Sequence, residues 1–196
     1  MAMQEESRPV IGPVRSSVRV VAAFDLEADI THAVDFRIAR AGGVVLYRRP
    51  QVLEGAVRNL VGLDYDVVRL NAAGWQAASA MYDDLANDLR FPGYFGRNLD
   101  ALRDCLYDVA HGDYGWRLDA TGLALVVAEF DVYSERLPEE ALALADILTE
   151  TSRTALLYGH RILSLLQVDD PRFRLGPVGG VVVPWNDAES LDHDRT

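Results

Sequence analysis

Residues 91–109 read FPGYFGRNLDALRDCLYDV. Phe91-Pro92 closes whatever helix comes before, because the residue preceding a proline is pushed out of helical conformation. Gly93, Tyr94, Phe95 and Gly96 then make a loop. Asn98 is a favoured residue for opening a helix, since its side chain can take up a free backbone N–H. From there Leu99, Leu102, Cys105, Leu106 and Val109 recur at helical spacing and form an apolar stripe. Asp100 lies in the first turn, where the helix dipole favours a carboxylate. Asp104 and Asp108 have no such reason, and like charges four apart on a helix repel by roughly 0.2–0.5 kcal/mol per pair. Arg103, three residues from Asp100, can offset part of that charge. The outer face reads Asp100, Arg103, Asp104, Tyr107 and Asp108, with Asp108 expected to be simply solvated.

Four uses are open to such a face: metal binding, acid–base chemistry, a protein partner, or contact with water. Magnesium sites combine one or two carboxylates with substrate phosphates, yet the chain has no phosphate-binding Gly-Lys loop. His32, His111, His160 and His193 do not recur at ligand spacing. General acid and base pairs need carboxylates in unlike environments, whereas three on one exposed helix share an environment. Ser134, Ser152 and Ser164 lack the GxSxG context of a nucleophile. Cys105, on the apolar stripe, reads as a small core residue. A carboxylate site between Asp104 and Asp131 or Glu129 would require a deep pocket. An exposed Tyr94 beside carboxylates is a common mixture at protein interfaces, and Trp116 is within sequence reach of the same face.

Outward from this segment, the pattern alternates strands and helices. Residues 1–17 read as a disordered tail. SVRVVAAF (17–24) reads as a strand or an apolar arm. In AVDFRIARAGGVVLYR (33–48) apolar Val34, Phe36 and Ile38 alternate, and Gly42-Gly43 follows, which predicts a β-hairpin. A helix is the rival reading, because Ile30, Val34 and Ile38 also fall four apart. Pro50 suits the first turn of a helix running to about 61. Residues 64–72 form a short strand and 75–89 a helix. TGLALVVAEF (121–130) and RILSLLQV (161–168) are continuous apolar runs of the kind buried on both faces of a sheet. Between them a loop containing Tyr133 leads to a helix from Pro138 to about Tyr158, which Gly159 can terminate. VVVPW (181–185) reads as an edge strand ended by Pro184, and 187–196 as frayed. Strands separated by helices predict a small parallel sheet covered by helices.

The chain has 196 residues and a formal net charge of -11. Residues 1–63 carry eight Arg against seven Asp and Glu, and residues 64–196 eleven Arg against twenty-three. An acidic body repels phosphate backbones and attracts a basic protein, so a basic partner is expected, with no nucleic acid and no membrane. A single Cys and an acidic, polar start predict the cytoplasm.

FPGYFGRNLDALRDCL also resembles the central motif of the barstar family, intracellular inhibitors of secreted barnase-type ribonucleases. The match runs through Pro92, Tyr94-Phe95, Gly96, Asn98 to Leu102, and Asp104-Cys105-Leu106 in unbroken order. It extends more weakly over 64–90 and 121–168. The resemblance implies an α/β fold: a barstar-like small parallel sheet of three core strands packed with helices. An N-terminal hairpin and helix (18–63) would pack on the barstar-like domain (64–170), and 171–196 would form a tail with a possible edge strand. It implies no catalysis, no cofactor and no metal. In that family the loop and second helix plug the ribonuclease active site, with acids in the place of RNA phosphates. Carried over, the contacts would be Tyr94, Gly96, Asn98, Asp100 and Asp104, with Asp104 as the principal anchor, and Arg103 on the same face is a further candidate contact although the family has Trp there. The expected role is a bacterial immunity protein against a secreted ribonuclease or toxin domain. The alternative is an interaction module with a non-nuclease partner. Three departures bear on that choice. Arg103 and Val109 stand where the family has Trp, and Thr154 and Tyr158 where it has late acids, with Glu150 one turn earlier.

Overall fold

A computed structural model describes residues 33–180 and 182–190. The expected tail at 1–17 and the apolar run 17–24 lie outside the described residues. The elements run α1 (Ala33–Arg40), β1 (Val44–Tyr47), α2 (Pro50–Gly62), β2 (Tyr65–Asn71), α3 (Ala78–Asp88), α4 (Leu99–His111), β3 (Gly122–Ala128), α5 (Phe130–Arg136), α6 (Pro138–Leu157), β4 (Ile162–Gln167) and α7 (Asp187–Ser190). The strands form one four-stranded sheet in the order β1-β4-β3-β2, parallel throughout. The α/β architecture and the three core strands β2, β3 and β4 are as the sequence predicts.

The two apolar runs explain the layering. Leu123 to Val127 on β3 and Ile162 to Gln167 on β4 are buried without interruption. Strand side chains alternate between faces, so such runs need a cover on each side. On one side Leu123, Leu125, Val127 and Leu166 pack with α3, α4, α5 and α6. On the other Ala124, Val126, Leu163 and Leu165 pack with Ile38 of α1 and Leu53, Val57 and Leu60 of α2. The N-terminal segment is therefore the second helical layer of a three-layer molecule.

The expected hairpin at 33–48 does not form. Residues 33–40 are helical, and Val44–Tyr47 pairs in parallel with β4, Val44 opposite Ser164. The alternation fits period two, but the spacing of four from Val34 to Ile38 prevails because a buried polar group rewards it. In the helix Asp35 turns inward and is 1% exposed. Its Oδ2 accepts from the Tyr65 hydroxyl at 2.9 Å and lies 3.3 Å from Arg161 Nη1. Burial first, then the Asp35 carboxylate, raises the Tyr65 phenol above its ordinary value. Gly42 and Gly43 end the helix with positive φ of 102° and 83°, and the Gly43 N–H donates to the Ile38 carbonyl at 2.9 Å. A Cβ at Gly43 would run into the Ser152 side chain.

Three further expectations change. The loop around Tyr133 is helix α5, whose Phe130 and Tyr133 are both buried. Of VVVPW, the described residues 182–185 form no strand and bridge the sheet at Leu46 to Trp185; Pro184 has no N–H, but its carbonyl accepts from Leu46. Residues 187–190, expected to fray, form α7. There Glu189 Oε1 accepts from the backbone N–H groups of Arg48 and Arg49, and its Oε2 meets Arg49 Nε at 2.9 Å. Arg49, the residue capping α2, makes no side-chain cap of its own, so a carboxylate from the far end of the chain serves the positive end of that helix.

A chain truncated to residues 64–196 would lose α1, β1 and α2 and expose the apolar face of Ala124, Val126, Leu163 and Leu165. It should lose cooperative thermal unfolding and self-associate, as read by circular dichroism and gel filtration, whereas the full chain melts in one transition.

Candidate functional site

The loop before α4 is held from inside. Phe95, 7% exposed, meets Phe91 and Tyr82 edge-on, with ring centroids 5.1 and 6.1 Å apart. Its N–H donates to the Pro92 carbonyl at 2.9 Å. With Phe95 anchored, its neighbour Tyr94 is thrown into solvent and is 80% exposed. Arg97 takes a positive φ of 48° and pairs with Asp83 of α3 at 2.7 Å. Asn98 Oδ1 then accepts from the Ala101 N–H at 2.9 Å, opening α4. Asn98 Nδ2 donates back to the Gly96 carbonyl. A Cβ on Gly96 would come within 3.1 Å of that nitrogen, so a side chain there would crowd the cap.

α4 is fixed by its buried face. Leu102, Cys105, Leu106, Val109 and Ala110 are buried, and Gly112 in left-handed conformation closes the helix with N–H bonds to the Asp108 and Val109 carbonyls. Burial pushes the Cys105 thiol up, with the Asp108 and Asp104 charges adding to it and Tyr114 opposing. Val109 is fully buried, so its departure from the family's Trp changes packing, not the outer face. Trp116 is buried as well. Its indole N–H donates to the Val109 carbonyl at 3.0 Å and its ring meets His160, so it does not reach the acidic face.

The six predicted residues are all exposed, from the loop to the outer side of α4, but the aspartates on that helix differ in environment. Asp100 has a side chain 98% exposed and sees only Arg103, at 3.8 Å. Asp104 is exposed and makes no hydrogen bond or ion pair among the described residues. Asp108, expected to be solvated, is partly buried and accepts from the Tyr114 hydroxyl at 3.3 Å. Arg103 does not stand free. Its Nε donates to Glu150 Oε2 of α6 at 2.9 Å. Sequence spacing had no means of linking two residues on different helices, and Glu150 carried only the signal of an acid one turn before Thr154.

Asp131 is turned into the protein and is not a second exposed acid beside Asp104. The Asp131 carboxylate is buried and accepts from the N–H groups of Asp169 and Asp170, and the Glu129 N–H donates to Gln167. Cavities lie instead beside Gly43, Tyr65 and Arg161 and between α1 and the 182–187 segment, lined by no residue of 91–108. Among the described residues no three His, Cys, Asp or Glu side chains gather as metal ligands. No helix among them is long and apolar enough to cross a membrane.

Fold and surface together define a parallel three-layer α/β protein that offers two exposed carboxylates and a tyrosine on a rigid loop–helix. The family model described as Barstar (barnase inhibitor) matches residues 65–167, and the chain belongs to the barstar family. A curated relative from Bacillus subtilis (strain 168), named "Putative ribonuclease inhibitor YrdF", is 33% identical over 81 residues, 41% of this chain and 79% of that one. Among solved structures, a chain in the structure of Drosophila ORC bound to AT-rich DNA and Cdc6 is similar at 16% identity and a TM-score of 0.42. The match covers 75% of this chain and 51% of that chain, about half its length. A likeness that loose carries no functional meaning.

The burial of Cys105 has a direct chemical readout. The thiol should resist a disulfide reagent such as DTNB at pH 8 in the folded protein and react fully in denaturant, because both access and thiolate formation are suppressed.

Proposed function

We propose that this chain is a proteinaceous inhibitor that blocks a basic ribonuclease by laying the 94–104 surface over its RNA-binding cleft. The observation that carries the reading is Asp104: an exposed carboxylate with no hydrogen bond or ion pair among the described residues, on a helix whose start is capped and whose opposite face is buried. A cleft built for phosphate is lined with Arg, Lys and His. A carboxylate presented there gains charge-assisted, in some cases bidentate, hydrogen bonds. The protein does not have to break an internal ion pair or order the helix first, which lowers the cost of binding. Opposite net charge speeds encounter and makes it salt-sensitive.

The finer role is an immunity protein held in the bacterial cytoplasm against a secreted barnase-type toxin. The family match and the named ribonuclease-inhibitor relative support the ribonuclease-inhibitor part of that role. Arg103, which taken alone favours a non-nuclease partner, is compensated by Glu150 at 2.9 Å. The local surface thus keeps the charge of Asp100 and Asp104. No step of chemistry is assigned to this chain: the action is occupancy of another protein's site.

The test is inhibition of RNA cleavage by a panel of barnase-type ribonucleases, with calorimetric binding alongside. Wild type should inhibit at least one. Asp104→Ala should weaken that complex by about 30-fold or more, the scale for truncating one member of a desolvated charge pair. Equal inhibition by wild type and Asp104→Ala would falsify the reading.

Glu150 supplies a second test with a defined sign. Glu150→Ala removes the acid at 2.9 Å from Arg103, leaves it only the longer contact with Asp100 at 3.8 Å, and should weaken binding to a basic partner, mainly through a slower association rate. Arg103→Ala leaves the acid and should bind as well as wild type or better. The double variant should return towards wild type, as stopped-flow association at low salt will show.

A further inference from the structure

Beyond the acidic lip, the same face continues into an apolar shoulder that the proposed docking does not use. Tyr107 follows Arg103 and Asp104 on α4 by four and three residues, so it lies on the same side of that helix. Thr154, Leu157 and Tyr158 follow Glu150 on α6 by four, seven and eight residues, again one side. Two cross-helix contacts join the rows. Arg103 meets Glu150 at 2.9 Å, and further along the Tyr107 and Tyr158 hydroxyls are 2.6 Å apart. The two rings stand perpendicular with centroids 6.2 Å apart. The His111 ring packs edge-on against Tyr158 at 4.5 Å and its Nδ1 lies 3.2 Å from Asp113 Oδ1.

Each ring is thus held from the side while remaining about half exposed, and Leu157 beside them is 85% exposed. A single surface leucine needs no explanation. Here a leucine and two mutually braced tyrosines share the outer side of α4 and α6 with two exposed carboxylates, Asp100 and Asp104. Rigid aromatics lose little conformational entropy on contact, which is why Tyr so often anchors interfaces.

We propose that Tyr107, Leu157 and Tyr158 form the apolar half of the docking surface. Its occupant is the same basic partner, which presents an apolar side chain on the rim of its cationic cleft. The inference rests on the docking role of Asp104 and extends it. Charge complementarity names the partner, since the shoulder is continuous with the acidic lip and only a cationic protein is drawn to that lip. The division of labour is physical. The carboxylates set the encounter and its salt dependence, and the shoulder selects among basic proteins that all satisfy the charges.

Leu157 allows a test in which charge and apolar contact predict opposite signs. Leu157→Glu adds a negative charge near a cationic partner, so electrostatics alone predicts binding as tight as wild type or tighter. Apolar contact predicts weaker binding, by roughly tenfold. At 85% exposure the change should leave the fold intact, which thermal melting will check. The probe is a barnase-type ribonuclease that wild type inhibits, with the dissociation constant measured by calorimetry. Leu157→Glu and Tyr158→Ala should both weaken binding, and the loss in Leu157→Glu should persist at high salt while that of Asp104→Ala shrinks. If Leu157→Glu binds equally or more tightly while Asp104→Ala is impaired, the shoulder is overturned and the docking role stands. If Asp104→Ala is unimpaired, or wild type inhibits none of the panel, the docking role falls and this inference with it.

Discussion

The structure depends on one constraint: β3 and β4 bury both of their faces. A strand with apolar side chains on both faces cannot tolerate water on either side, so the sheet needs two helical covers. The packing of α3 to α6 on one face sets the position of α4, and α1 and α2 must close the other. The N-terminal segment, which lies outside the family match at 65–167, is on this view integral to the core. It brings the edge strand β1, and the C-terminal stretch then returns to protect that edge. Leu46 exchanges N–H and carbonyl bonds with Pro184 and Asn186, and Glu189 caps α2.

The same constraint presents the acidic face. Because Leu102, Cys105, Leu106 and Val109 must point at the sheet, Asp100, Arg103 and Asp104 must point away. α6 packs beside α4 in the same layer, and that adjacency creates the Arg103–Glu150 bridge and the Tyr107–Tyr158 pair. An exposed ion pair of this kind contributes little to stability, about 0–1 kcal/mol. Its consequence lies in what the surface offers: the cation is matched, and the two acids beside it keep their attraction for a basic partner.

A buried ion pair lies on the far side of the sheet. Asp35, Tyr65 and Arg161 join α1, β2 and the start of β4 under the second helical layer. Breaking such a group by removing one member is strongly destabilising, on the order of 3–5 kcal/mol, because a buried charge is left uncompensated. This group fixes where the extension sits, whereas Asp104 on α4 is exposed and makes no hydrogen bond or ion pair among the described residues.

What the sequence determined by itself was local. The cap at Asn98, the apolar stripe of α4, the two-faced burial of 121–130 and 161–168 and the core position of Cys105 each follow from neighbours within a few residues. What only the tertiary structure decided were the questions whose answers lie far along the chain. Residues 33–40 read first as period two, with period four the rival. The helix prevails because it delivers Asp35 to Arg161, 126 positions away. Asp104 and Asp108 look alike in sequence, yet Tyr114 reaches one and nothing described reaches the other. Arg103 reads as a departure that repels a basic partner until Glu150, 47 residues on, is found against it. Periodicity reports which face is buried, while only packing reports which charges meet.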